Sequence, residues 1–173
     1  MTLQFASMDR ASADAIAAWR YEKAYSIYDG EADGVRAMLN PAYRYYTITD
    51  DRSETIGFCG FGADARVRGG AYADAGALDI GAGMRPDLTG QGRGPEFAGA
   101  ILDFGQETFA PAAFRVTVAT FNKRAIRVCE QAGFERVETF RAPGGGLEFA
   151  VLVRRSSAAD AVRRSSAADA VRR

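Results

Sequence analysis

Between Leu78 and Phe97 the sequence reads LDIGAGMRPDLTGQGRGPEF. A strand-like apolar run gives way to glycines at 90, 92 and 94, and a helical pattern follows at once. A strand that turns this tightly into a helix belongs to a mixed α/β layer. The first turn of a helix leaves its backbone N–H groups without internal partners, at the positive end of the helix dipole. Glycines let that backbone approach an anion closely. Pro95 suits the first helical turn, where a missing N–H costs little. The segment therefore predicts a cradle for a diphosphate; the plainer alternative is a flexible strand-to-helix connection. The dinucleotide fingerprint G-x-G-x-x-G does not fit. Counted from Gly90, it places Pro95 at the third glycine, and no acidic residue clearly ends a following parallel strand about 20 residues on.

The rest of the chain supplies the elements around this unit. Leu3 to Ala6 predicts a strand, Ser12 to Trp19 a helix with Ser12 as N-cap, and Glu31 to Leu39 a second helix ended by Asn40-Pro41. The intervening Arg20 to Gly30 is aromatic and irregular. Tyr43 to Thr49, Thr55 to Ala63 and Ala77 to Met84 predict an antiparallel meander. A helix over Pro95 to Phe109 carries Phe97, Ile101, Phe104 and Thr108 on one face. Phe114 to Thr120 predicts a strand, and Asn122 to Ala132 a helix with Ala125, Val128, Cys129 and Ala132 on one stripe, capped by Gly133. Phe134 to Arg141 and Leu147 to Val153 close the series. The expected fold is one α/β (α+β) domain over residues 1–155, a mixed, mostly antiparallel sheet of about seven strands flanked by about four helices.

Residues 156–173 stand apart. SSAADAVRR occurs at 156–164 and again, identically, at 165–173. Two copies of nine residues are too few for a solenoid. An appended or slipped-duplication tail, helical or disordered, is the plain reading; a basic arm for an anionic partner is the sharper one. From Arg154 onward six arginines face two aspartates, a net of +4 in a chain of zero net charge.

Several classes of function are excluded by what is missing. The chain has no histidine, so Ser/His/Asp and Cys/His catalysis are out. Cys59 and Cys129 are the only cysteines and form no C-x-x-C pair, which argues against a zinc site or a disulfide framework. Lys23 and Lys123 are the only lysines, and neither completes a phosphate-binding G-x-x-x-x-G-K-[ST]. No apolar run approaches the ~20 residues of a membrane span. Zero net charge gives no pointer to nucleic acid. A cytoplasmic protein without metal, membrane or nucleic-acid partners is expected.

Two motifs together resemble the GCN5-related N-acetyltransferases (GNAT). Met84-Arg85-Pro86 and the loop Thr89-Gly90-Gln91-Gly92-Arg93-Gly94 are similar to that family's coenzyme A loop, Q/R-x-x-G-x-G/A, with Thr89 where Gln or Arg is usual. Asn122 to Phe134, NKRAIRVCEQAGF, is similar to N-x-x-A-x-x-x-Y-x-x-x-G-F. Within the family, NxRAIRVxExxGF looks most like the ribosomal-protein-acetylase-like branch.

The resemblance implies an enzyme that transfers the acetyl group of acetyl-CoA, as cosubstrate and without a metal, to a primary amine of a small molecule or protein. It implies direct attack in a ternary complex, and a family that often forms homodimers. The coenzyme would meet the strand backbone at Ile80, Ala82 and Met84, the loop residues Thr89, Gly90, Gln91, Gly92, Arg93 and Gly94, and Asn122 and Arg124. Trp19, Tyr21, Tyr25 and Tyr28 would wall the acceptor, or else pack in the core. Asp79 shares a strand face with Gly81 and Gly83 and is the candidate base, acting through water; a solvated carboxylate is the alternative. Cys129 stands where the family has its acid tyrosine. It is either a substitute acid or a packing residue, and that substitution keeps open a catalytically weak acyl-CoA sensor as the second reading.

Overall fold

The computed structural model describes residues 2–156. The elements in order are β1 (Gln4–Ser7), α1 (Arg10–Ala17), α2 (Ala32–Met38), β2 (Tyr45–Thr49), β3 (Thr55–Phe61), β4 (Ala77–Met84), α3 (Gly94–Phe109), β5 (Ala113–Ala119), α4 (Lys123–Gln131), β6 (Glu135–Arg141) and β7 (Glu148–Arg155). The strands form one sheet in the order β1-β2-β3-β4-β5-β7-β6. β4 and β5 are parallel, and the other neighbours are antiparallel. This is the expected single α/β domain. The repeated tail lies outside the described residues, apart from Ser156, whose N–H donates to the Ala112 carbonyl.

Helices cover both faces of the sheet. On one face Ile48, Phe61, Ile80, Phe114 and Leu152 pack with Phe97, Ile101 and Leu102 of α3. Each such side chain contributes about 1.5–3 kcal/mol by leaving water. On the other face Ala13, Ile16 and Met38 of α1 and α2 pack with Trp19, Tyr45 and Phe58. Among the described residues, no helix is long and apolar enough to cross a membrane.

Some local expectations shift. Helix α1 begins two residues before Ser12, because Asp9 takes the cap: its carboxylate accepts the Ser12 N–H at 2.7 Å. That bond holds the Asp9 carboxyl below its ordinary range. On α3, Thr108 is exposed, and Leu102 and Gly105 complete the buried stripe. On α4 the buried residue is Ile126; the expected stripe is half-buried beside it. The irregular aromatic stretch contains a 3₁₀ segment, Lys23–Tyr28, here termed the strap.

The parallel pair parts midway. β4 and β5 stay in register from Ala77↔Ala113 to Ile80↔Val116 and no further. Beyond that rung β4 remains paired with β3 as far as Met84↔Gly57, and β5 with β7 as far as Ala119↔Phe149. Each strand is held by its outer neighbour, so a fork opens between Gly81–Met84 and Thr117–Ala119.

Candidate active site

The fork exposes a backbone edge. The Asp79 carbonyl accepts from Gly62 N–H, and Arg85 N–H donates to the Ile56 carbonyl, so both point towards β3. Alternation along an extended strand then turns the amides and carbonyls of Ile80, Ala82 and Met84 to the opposite edge. Ile80 meets β5 there; Ala82 and Met84 face the gap. The Met84 carbonyl accepts from the Tyr21 hydroxyl at 2.9 Å. Burial, with Asp29 adding to it, pushes the Tyr21 hydroxyl up to about 12, so it keeps its proton.

The glycine loop closes one end of this gap. Gly90 and Gly92 have φ of 75° and 77°, the left-handed region where other residues are strained. The Thr89 hydroxyl donates to the Pro86 carbonyl at 2.8 Å. It closes the turn from within. Among the described residues, no acceptor takes the backbone N–H of Gly90, Gln91, Gly92 or Gly94. A Cβ on Gly92 would meet nothing within 4 Å, whereas one on Gly94 would lie 2.6 Å from Val128. Gly92 borders open space, and Gly94 lets α3 pack on α4. Free donors around an open position fit an anion the size of a diphosphate.

The strap spans the mouth of the fork. Tyr21 reaches the β4 end, while Asn122, just past β5, donates its Nδ2–H to the Tyr28 hydroxyl at 3.3 Å. The Tyr21 and Tyr28 rings meet edge to face with centroids 6.5 Å apart. Arg124 Nε–H donates to the Tyr25 hydroxyl at 3.1 Å, with its guanidinium 4.1 Å from that ring's centroid. The same guanidinium is the neighbour a Cβ on Gly90 would meet, at 3.0 Å. Tyr21, Tyr25 and Tyr28 are thus gathered with Asn122, Arg124 and the loop. Trp19 is not; it packs against Phe58 between α1 and the sheet. Arg93 sits half-buried at the start of α3, where its charge helps hold the Asp87 carboxyl low, behind the paired Arg85. Asn122 also caps α4, its Oδ1 accepting from Ala125 N–H at 3.1 Å.

Asp79 and Cys129, the two residues considered for proton transfer, are both held by packed surroundings. Asp79 is 3% exposed. Its Oδ1 accepts from Arg115 Nε at 2.6 Å, and its Oδ2 accepts from Arg115 Nη2 and Arg66 Nε at 2.8 Å each. Both carboxylate oxygens are thus engaged by guanidinium donors. A Cβ on Gly81 would lie 3.3 Å from Ala65, and one on Gly83 would strike the Phe58 ring. Cys129 packs half-buried against the core. Burial, with Glu130 adding to it, pushes its thiol up to about 11.

Residues the sequence reading passed over complete the site's floor: Arg66, Arg115 and Tyr72. Arg115 stands mid-strand in an apolar run, AFRVTVA, an anomaly that a search for buried charge would find. A groove of about 900 Å³ between α1 and α2, lined in part by Arg10, Arg20 and Arg36, includes no loop or fork residue.

A fork between parallel strands, with a glycine loop and helix start beside it, is a donor site in search of a family. Residues 4–135 match the family model described as "Acetyltransferase (GNAT) domain". The chain belongs to the GNAT acetyltransferases. Membership makes it an enzyme with acetyl-CoA as acyl donor. Among solved structures, this GNAT chain is similar to the aminoglycoside acetyltransferase AAC(6')-Ib in complex with coenzyme A: 19% identity, 94% of this chain, 99% of that one and a TM-score of 0.72. It is similar to a chimera of the spermidine N-acetyltransferase SpeG from Vibrio cholerae and hSSAT, at 16% identity, 90% and 96% coverage and a TM-score of 0.69. It is also similar to a GNAT-family acetyltransferase from Bacillus anthracis, at 14% identity, 90% and 95% coverage and a TM-score of 0.69. At these identities the likeness is one of fold. Comparison with curated protein sequences returns no match.

Proposed function

We propose that this GNAT enzyme transfers acetyl from acetyl-CoA directly to a primary amine in a ternary complex. The observation that carries the reading is the fork past Ile80↔Val116 with the open-sided loop at its end. The free amides of Gly90, Gln91, Gly92 and Gly94 bind the diphosphate, assisted by Arg124, and the Ala82 and Met84 backbone lines the gap for the thioester. The amine attacks only in its neutral form, so a lysine-like amine near pKa ~10.4 must first give a proton to water. Its nitrogen bonds to the acetyl carbonyl, the resulting oxyanion is met by backbone N–H in the gap, the C–S bond breaks as the carbonyl re-forms, and the nitrogen gives its extra proton to water to leave the neutral amide. The coenzyme leaves as a thiolate.

Cys129 is a poor donor to that thiolate. Burial raises its thiol to about 11, because the thiolate that donation would leave behind is poorly solvated there. We read Cys129 as a packing residue: the coenzyme leaves as a thiolate and takes its proton from solvent after release. Cys129→Ala is therefore expected to keep kcat within about threefold of wild type while losing about 1–2 kcal/mol of stability to the small void. Steady-state rates beside a denaturant melt check both halves.

The proposal is tested by titrating acetyl-CoA calorimetrically and following coenzyme A thiol release with a panel of amines. Micromolar binding and amine-dependent release are expected. Binding without release on any amine would favour the sensor reading.

A further inference from the structure

The site's floor presents a guanidinium whose terminal nitrogens are uncommitted among the described residues. Asp79 and Arg115 face each other across the rung Asp79↔Arg115, one step before β4 and β5 part. One carboxylate is shared by two guanidiniums, Arg115 and Arg66. Arg115 is 2% exposed and directs its remaining terminal nitrogen, Nη1, at the neutral carbonyl of Asp74 at 2.9 Å. Arg66 is the outer partner, with its side chain 39% exposed. Among the described residues, its two terminal nitrogens donate to nothing.

Arg66 is also held in place. Its Nε is fixed by Asp79 at 2.8 Å, and its guanidinium lies 5.2 Å from the Tyr72 ring centroid. Tyr72 is itself pinned: its hydroxyl accepts from Val67 N–H at 2.7 Å and lies 3.2 Å from Thr117 Oγ1, on the β5 side of the fork. Arg115 packs on the same ring at 5.0 Å. Asp79, Arg115, Thr117 and Gly81 share the sheet face opposite Ile80 and α3, so Arg66 lies at the base of the fork on the side away from the loop-bearing helix. The nearby Asp64 is exposed and accepts from the Tyr45 hydroxyl.

We propose that Arg66 is an acceptor-binding residue and that the acceptor is an amine carrying a carboxylate, such as an amino acid or a short peptide with a free C-terminus. This rests on the acetyl-transfer reading above. A planar guanidinium with two free terminal nitrogens matches a carboxylate in a paired geometry. Its orientation is already set, so little side-chain entropy is lost on binding. Polycations such as spermidine and aminoglycosides, named for the structural neighbours, offer these donors no anionic acceptor.

The test compares matched acceptors by thiol release at saturating acetyl-CoA: a dipeptide against its C-terminal amide, an ω-amino acid against its amide, and spermidine. The carboxylates are expected to exceed their amides about tenfold in kcat/KM, chiefly through KM, and to exceed spermidine. Arg66→Gln is expected to bring the ratio near one, and Arg66→Lys to restore part of it, with the KM for acetyl-CoA unchanged in both. Amides equal to carboxylates, spermidine as the best acceptor, or a ratio that survives Arg66→Gln would overturn the inference. Acetyl-CoA binding without turnover of any of these amines would also overturn it and leave the donor site standing. No acetyl-CoA binding would overturn the acetyl-transfer reading as well.

Discussion

Asp79→Asn is expected to lower stability by about 3 kcal/mol, because it leaves the buried Arg115 guanidinium without its counter-charge. For a domain of this size that corresponds to a fall in Tm of roughly 10 °C. The isosteric amide fills the same space, so packing does not account for the loss. Asp79 supplies both acceptor oxygens to Arg115 at 2.6 and 2.8 Å, and the amide offers one acceptor and no charge. A base in the chemical step would behave otherwise: the variant would melt like wild type and lose kcat. The double variant Asp79→Leu with Arg115→Met separates the two further. Removing both charges of a buried pair is often close to neutral, so much of the lost stability should return. Its kcat should lie within several-fold of wild type, with a higher KM for the acceptor because Arg66 has lost its anchor. A folded double variant with no turnover would reinstate Asp79 as the base.

Gly92→Val is expected to weaken acetyl-CoA binding about 100-fold while the protein stays folded. The position has φ of 77° and open space where a Cβ would go. A branched side chain there enters the volume assigned to the diphosphate, and the left-handed backbone adds a strain of about 1–2 kcal/mol. Gly94→Val should fail differently. Its Cβ would press on Val128 at 2.6 Å, so the α3–α4 contact is overpacked at a cost of about 1–3 kcal/mol. Calorimetry and thermal melts on the two variants distinguish a side chain that blocks the diphosphate from one that disturbs helix packing two residues away.

Local signals made the frame readable. β4 runs over Ala77–Met84 as its alternation predicts, and α3 starts within the glycine loop at Gly94. The Ser12 cap failed because Asp9, three residues earlier, is an equally good cap and nothing in the local sequence ranks them. Long-range contacts were not readable. Asp79 meets Arg115 across 36 residues, Tyr25 meets Arg124 across 99, and Tyr28 meets Asn122 across 94. Strand alternation placed Asp79 on the correct face but could not say that two arginines wait there. Nor does any pattern in β4 or β5 mark Ile80↔Val116 as the last rung. That boundary is set by the competing claims of β3 and β7 on the two strands. The space left by Gly83 is taken by Phe58 and that beside Gly81 borders Ala65; a strand sequence does not reveal which neighbour fills the space a missing side chain leaves.

The most direct test is a crystal structure of the protein with acetyl-CoA. The account predicts the diphosphate within hydrogen-bonding distance of the Gly90–Gly94 backbone and the thioester between Gly81–Met84 and Thr117–Ala119. Density for the coenzyme in the α1–α2 groove, or a fork closed by continued β4–β5 pairing past Ile80, would contradict it.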